Sequence, residues 1–367
     1  MEITGRRAMA MIFVVGLFLG VWKPLKTDAE GGAGQHADEA PRFEVDPYWP
    51  KPLPDRWVTG EFGGVCVDAH DHVFVVTRGN LEPEQLPSAT VAPPIIEFDA
   101  DGNVVNSWGD RDFMPKRPHG CFIDQQGNFW VGGADAVIQE YAHDGSKMLF
   151  QIGIKGKFDS IDGKENGSPL NSSHELLNSP AGAVVDSTNG DIYVADGYGN
   201  HRVVVFDREG HYLRQWGRHG TPAEAEAGVG GTFVRQVHFL AIGNDGVVYV
   251  CDTYGHRIEL FDKAGSFLKN YSLLQNKSNP AKGGGNPCAF GFSPDPAQRF
   301  MYVGDCANMS IRVFDRATGQ ELSSFGRPGN QAGEFGGPHA LAVDSKGNII
   351  EADNHTGRKI QMFRLVR

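Results

Sequence analysis

Short apolar runs broken by polar turns recur along the chain from about residue 58 to its end. The cleanest unit reads Ala183-Val184-Val185-Asp186, then Asn189-Gly190-Asp191-Ile192-Tyr193-Val194-Ala195-Asp196. It continues with Arg202-Val203-Val204-Val205-Phe206-Asp207 and closes on Leu213-Arg214-Gln215-Trp216-Gly217. Runs this short, rich in β-branched and aromatic residues and bounded by Gly, Asn and Asp, predict strands. The same order returns with a period of roughly 40 residues, the mark of a repeat architecture. A first unit spans about Gly63–Gly109 and a second Arg117–Gly153; later units carry Val248-Tyr249-Val250-Cys251-Asp252 and Met301-Tyr302-Val303-Gly304-Asp305. A sixth unit begins at Gly336 and stops after its third strand, near Phe363.

Six four-stranded units predict an all-β chain folded as a six-bladed β-propeller over residues 42–367. The last unit lacks a fourth strand, and Phe43-Glu44-Val45 is the segment expected to supply it and close the ring. Two stretches interrupt the pattern: Gly79–Pro94, between the second and third strands of blade 1, and Ile154–Ser179, between blades 2 and 3. Long loops at the ends of a propeller form substrate walls or simple decoration.

Composition agrees with many turns: the chain has 48 Gly and 21 Pro in 367 residues. Its formal net charge of -11 argues against a nucleic-acid partner, which calls for basic patches. Arg6-Arg7 followed by an apolar run from Ala8 to Trp22 fits a signal peptide within residues 1–29, an uncleaved membrane anchor being the alternative. Residues 30–41 read as a flexible linker. The body is therefore expected to be exported, to the periplasm or outside the cell. Of the five Cys, Cys66, Cys121 and Cys251 lie within or at the ends of apolar strands and read as buried thiols. Cys288 begins one strand and Cys306 follows the next, which favours a bridge between them.

Counting back five residues from the end of each first strand gives Gly63, His119, Ala181, His238, Cys288 and His339. The histidines occupy alternate blades. First strands line the channel of a propeller, so three imidazoles start from one level, about 120° apart. Three His with an open fourth position is the ligand set of a catalytic zinc site, although iron, copper, nickel and cobalt also accept imidazole. Two turns after second strands face the same end. Arg78, in Thr77-Arg78-Gly79, is suited to a substrate carboxylate. Tyr198, in Asp196-Gly197-Tyr198, is suited to act as a base if a metal and an Arg lower its pKa. Arg202 and Arg257 hold the repeat's common Arg position and read as structural.

The units resemble NHL repeats, and His119, His238, His339, Arg78-Gly79 and Asp196-Gly197-Tyr198 together resemble the catalytic domain of the peptidyl-α-hydroxyglycine α-amidating lyases. That resemblance implies cleavage of a C-terminal α-hydroxyglycine to a peptide amide and glyoxylate, with zinc on the three His, Arg78 and Tyr198 as catalytic residues, and a peptide C-terminus or small molecule as substrate. Two positions depart from the family's pattern. Thr253 stands where the family has a second Arg, and Ala340 where it has an Asp serving a structural calcium, which leaves a calcium site doubtful. Two other readings remain: a different metal-dependent hydrolase on the same scaffold, which commonly uses carboxylate ligands, and a non-enzymatic NHL propeller that binds a peptide or protein. Oligomeric state is not legible.

Overall fold

The computed structural model describes residues 40–275 and 284–366. The expected signal peptide or anchor, and most of the expected linker, lie outside the described residues. Ala40 and Pro41, at the end of that linker, are buried.

Six antiparallel sheets form the blades. Their first strands are Phe62–Val67, Cys121–Ile123, Gly182–Val185, Val237–Ile242, Pro287–Phe292 and Pro338–Val343. Each packs against the first strand of the next blade, and the sixth packs against the first, so the ring is closed. Phe43–Asp46 pairs antiparallel with Ile360–Leu365 and is the outer strand of blade 6. Arg364 fixes this seam with an ion pair to Asp46 at 3.0 Å. The seam gives blade 6 four strands like the other blades.

The Asp that ends so many strands has a local job. Asp124 Oδ1 accepts from the backbone N–H groups of Gln126 and Asn128, Asp344 does the same for Lys346 and Asn348, and Asp68 for His70 and His72. These Asx turns are completed by a residue at positive φ, such as Gly127 at 83° or Gly347 at 83°.

A second repeated device ties strands two and three. Arg202 reaches Asp196 at 2.9 Å, Arg257 reaches Asp252 at 2.9 Å and Arg312 reaches Asp305 at 3.4 Å, all fully buried. These arginines are structural, each also donating to backbone carbonyls of the preceding loop, as Arg202 does to Ser173 and Leu176.

The cysteines require one correction. Cys66 and Cys121 are joined as a disulfide between the inner strands of blades 1 and 2, rather than being separate thiols. The sequence reading missed this because the two residues belong to different repeats, and only the packing of neighbouring inner strands brings them together. A second disulfide joins Cys288 to Cys306 across the first two strands of blade 5. Cys251 is free and buried, and burial pushes its thiol well up.

The two interruptions are both anchored. Thr90–Val91, within the first, pairs in parallel with Trp57–Val58. The second is held by Asp159, whose carboxylate accepts from the backbone N–H groups of Ser172 and Ser173 and from Asn200, beside Arg202.

Candidate metal centre

The three histidines lie at the start of the inner strands of blades 2, 4 and 6, all buried. Their ring centroids form a near-equilateral triangle, with separations of 4.8 Å for His119–His238, 4.6 Å for His119–His339 and 4.8 Å for His238–His339. One nitrogen from each lies within 4.8 Å of the others. Small residues allow the inner strands to approach this closely. A Cβ on Gly63 would meet the carbonyl oxygen of Pro118 at 2.0 Å, and one on Gly120 would meet that of Ala181 at 2.8 Å.

The blades between them orient the rings. His119 Nδ1 is 2.7 Å from the Ala181 carbonyl oxygen in blade 3, and His238 Nδ1 is 2.5 Å from the Cys288 carbonyl oxygen in blade 5. A carbonyl only accepts, so each Nδ1 carries the proton and each Nε2 presents a lone pair. Both Nε2 atoms lie 2.9 Å from the Tyr198 hydroxyl. One phenol proton can satisfy only one of them. His339 Nδ1 has no partner among the described residues.

Burial sets the protonation of this cluster. It pushes His119 and His339 well below the usual imidazole range and His238 down to about 4; Arg78 adds to the effect on all three, and neighbouring imidazoles add to it for His119 and His339. Three neutral imidazoles therefore converge, and two of their Nε2 lone pairs compete for the single Tyr198 proton. That donor set fits a divalent transition cation: soft-to-borderline nitrogen ligands, supporting backbone hydrogen bonds and a side left open.

Tyr198 and Arg78 open onto the same cavity, of about 290 Å³, together with Arg117, Tyr254, Asn354 and His355. Thr253 lines it too, but its hydroxyl is committed to the Pro287 carbonyl at 2.8 Å. Asn166, in the long loop between blades 2 and 3, also reaches the cavity, and neighbouring Glu165 pairs with Arg117. The expectation of a lowered Tyr198 pKa does not hold for the protein's own groups. Burial pushes the phenol up and outweighs the opposing pull of Arg78, Arg117 and Arg235.

Sequence reasoning missed the orienting carbonyls of Ala181 and Cys288, since a backbone acceptor leaves no signature in residue type. It also missed Glu61, which pairs with Arg78 at 3.0 Å.

Similarities to known proteins narrow the class. Residues 177–206, the core of blade 3, match the NHL repeat. The chain folds as a six-bladed propeller, carries a match to the NHL repeat in its third blade and resembles the amidating lyases. It is 25% identical over 294 residues to peptidyl-glycine alpha-amidating monooxygenase B of Xenopus laevis, a match covering 78% of this chain and 30% of that protein. It is 25% identical over 288 residues to peptidyl-alpha-hydroxyglycine alpha-amidating lyase 1 of Drosophila melanogaster, covering 72% of this chain and 47% of that one. The chain thus spans less than half the length of these relatives. Among solved structures, a gluconolactonase from Xanthomonas campestris aligns with a TM-score of 0.53 at 15% identity, covering 84% of this chain and 87% of that one. At that identity the likeness is one of fold alone.

Proposed function

We propose that the chain is an exported, metal-dependent carbon–nitrogen lyase that cleaves a peptidyl-α-hydroxyglycine-like carbinolamide to an amide and glyoxylate. The observation that carries this reading is the convergence of three buried, neutral imidazoles, two of them on one phenol, beside an arginine in the same cavity. The named lyase relatives support the reaction class. Two disulfides suit an oxidising compartment.

His119, His238 and His339 hold the cation, zinc being the first choice by ligand type. When bound, it would supply a Lewis acid, and positive charge beside a phenol that the protein alone keeps protonated. Arg78 holds the substrate carboxylate and orients the carbinol carbon. Tyr198, as phenolate, takes the hydroxyl proton. The oxygen electron pair then forms the aldehyde C=O as the C–N bond breaks, and the departing amide nitrogen gains a proton. One hydroxyl proton is lost and one N–H is made, so the products are amide and glyoxylate with no redox change. Arg78 also stabilises negative charge that develops on the reacting fragment.

Metal analysis of the purified protein, paired with an assay for glyoxylate released from an N-acyl-α-hydroxyglycine, tests this directly. The expected result is about one equivalent of a divalent transition metal and metal-dependent glyoxylate release. Absence of metal uptake on titration would overturn the reading in favour of a propeller that only binds a partner.

A further inference from the structure

Arg78 does not stand alone in the cavity wall. Its Nη1 donates to Glu61 Oε2 at 3.0 Å, and its backbone N–H donates to the Glu61 carbonyl at 2.9 Å. Glu61 is itself laced to the turn that carries Arg78. Its backbone N–H donates to Asn80 Oδ1 at 2.8 Å. Gly60, at φ 67°, lies so close to that turn that a Cβ would meet Asn80 Oδ1 at 2.5 Å. Gly79 N–H donates to the Thr59 carbonyl at 2.8 Å. The segment 59–61 and the turn 78–80 therefore form one stiff unit. Glu61 and Arg78 keep only 18% and 16% of their side-chain surface.

The guanidinium has two edges, and Glu61 occupies only one. Arg78 Nε is buried and has no hydrogen-bond partner among the described residues. A buried guanidinium N–H left unmade is costly, so that edge is available to an acceptor that a ligand brings. A planar fork with one side pinned by a carboxylate presents its other side in a fixed direction, which suits bidentate capture of a second carboxylate. On the opposite side of Glu61, Oε1 lies 3.9 Å from His355 Nδ1, another residue of the cavity wall.

We infer that Glu61 is a positioning residue that aims the free edge of Arg78 at the substrate carboxylate. The inference rests on the proposed lyase reading. Glu61 does not touch substrate; it acts through Arg78. Loss of its carboxylate lets the Arg78 side chain swing and disperses the geometry that carboxylate capture needs.

The test is a double-mutant cycle on the metal-loaded protein with Glu61→Ala, Glu61→Gln, Arg78→Ala and the double variant E61A/R78A. Two readouts are taken: kcat and KM for glyoxylate release, and the dissociation constant of glyoxylate itself by titration calorimetry. Glu61→Ala is expected to raise KM and weaken glyoxylate binding by about 10- to 100-fold, the scale of a lost hydrogen bond to a charged group. Glu61→Gln, which keeps an acceptor oxygen, is expected to recover most of that loss. In the Arg78→Ala background, Glu61→Ala is expected to add nothing. Equal losses with and without Arg78 would overturn the inference, as would a Glu61→Ala variant that binds glyoxylate normally. A melting temperature shared by the wild type and Glu61→Ala excludes a folding effect. If the wild type binds glyoxylate but releases none from the hydroxyglycine substrate, the lyase reading fails and the binding cycle still decides the role of Glu61. A wild type that neither turns over nor binds a small carboxylate overturns both.

Discussion

His119 in blade 2 places its Nδ1 2.7 Å from the carbonyl oxygen of Ala181, the residue that occupies the same repeat position in blade 3. His238 in blade 4 makes the matching contact with Cys288 in blade 5. The alternation seen in sequence thus has a physical partner. Blades 2 and 4 supply an imidazole donor, and the blades that follow them supply the acceptor that fixes its tautomer. Among the described residues His339 Nδ1 has no such partner, so it is the least constrained of the three. Replacing His119, His238 or His339 singly with Ala should weaken metal affinity beyond the roughly 10- to 100-fold that follows loss of a supporting hydrogen bond alone. His339→Ala should show the smallest loss. Competition titration with a chromogenic chelator measures all three. A variant that retains wild-type affinity removes its residue from the site.

Substitution of Tyr198 tests chemistry separately from metal binding. Its ring stacks edge-on to His119 at 5.1 Å, while its hydroxyl is the group shared by two Nε2 atoms. Tyr198→Phe keeps the ring and removes only the hydroxyl. The expected result is a full metal complement and a fall in kcat of about 10²- to 10⁴-fold, the range for loss of a general base. Loss of metal without a separate loss of rate would make Tyr198 a structural neighbour of the site.

Much of the architecture was legible because its signals are periodic. Asp186 and Asp344 announce their turns through the Asx hydrogen bonds they make. Arg202 and Arg257 recur at one repeat position and read as structural, and the structure adds that each forms a buried pair with the Asp ending the previous strand. The histidines could be aligned because a propeller converts equal repeat position into equal depth in the channel. What stayed hidden depends on contacts between repeats. Cys66 and Cys121 lie 55 residues apart, and nothing local to either marks the other. Glu61 lies 17 residues from Arg78 and reads as an ordinary polar residue ahead of a strand. The sign of the Tyr198 shift was also hidden, because it is set by a desolvation that only the closed cavity creates.

The buried pair of Asp196 and Arg202 links stability to the site. Asp196 carries Arg202 at 2.9 Å, Asn200 at 2.8 Å and the Asn178 backbone N–H at 2.8 Å, two residues before Tyr198. Asp196→Ala leaves a fully buried guanidinium without its main counter-charge. A cost of about 3–5 kcal/mol is expected from breaking such a pair, read as a shift in the urea unfolding midpoint at an unchanged slope. Arg202→Met with Asp196→Leu should recover part of it, because an apolar pair leaves no unmatched charge. A single Asp196→Ala variant within about 1 kcal/mol of wild type would show that Asp159 and the carbonyls around Arg202 suffice.

The pH response of the metal-free protein follows from the buried imidazoles. His238 binds a proton near its ordinary 6.5 when unfolded, but only at about 4 when folded. Between those values the unfolded chain holds more protons, so stability rises with pH across this window and is lost as pH falls through it. The shift corresponds to roughly 3 kcal/mol for His238, and His119 and His339 move in the same direction. Buried acids oppose this trend: burial raises Glu259 to about 8 and Glu351 well above its usual range, and such groups lose stability as pH rises. A difference measurement isolates the imidazole. Chelator-treated wild type and His238→Gln should be unfolded in urea at pH 7.5 and at pH 5. The stability advantage of the wild type should shrink between those two values, and bound metal should restore it by favouring the neutral ligands. An advantage that stays constant across the window would mean that His238 is not held neutral by its burial.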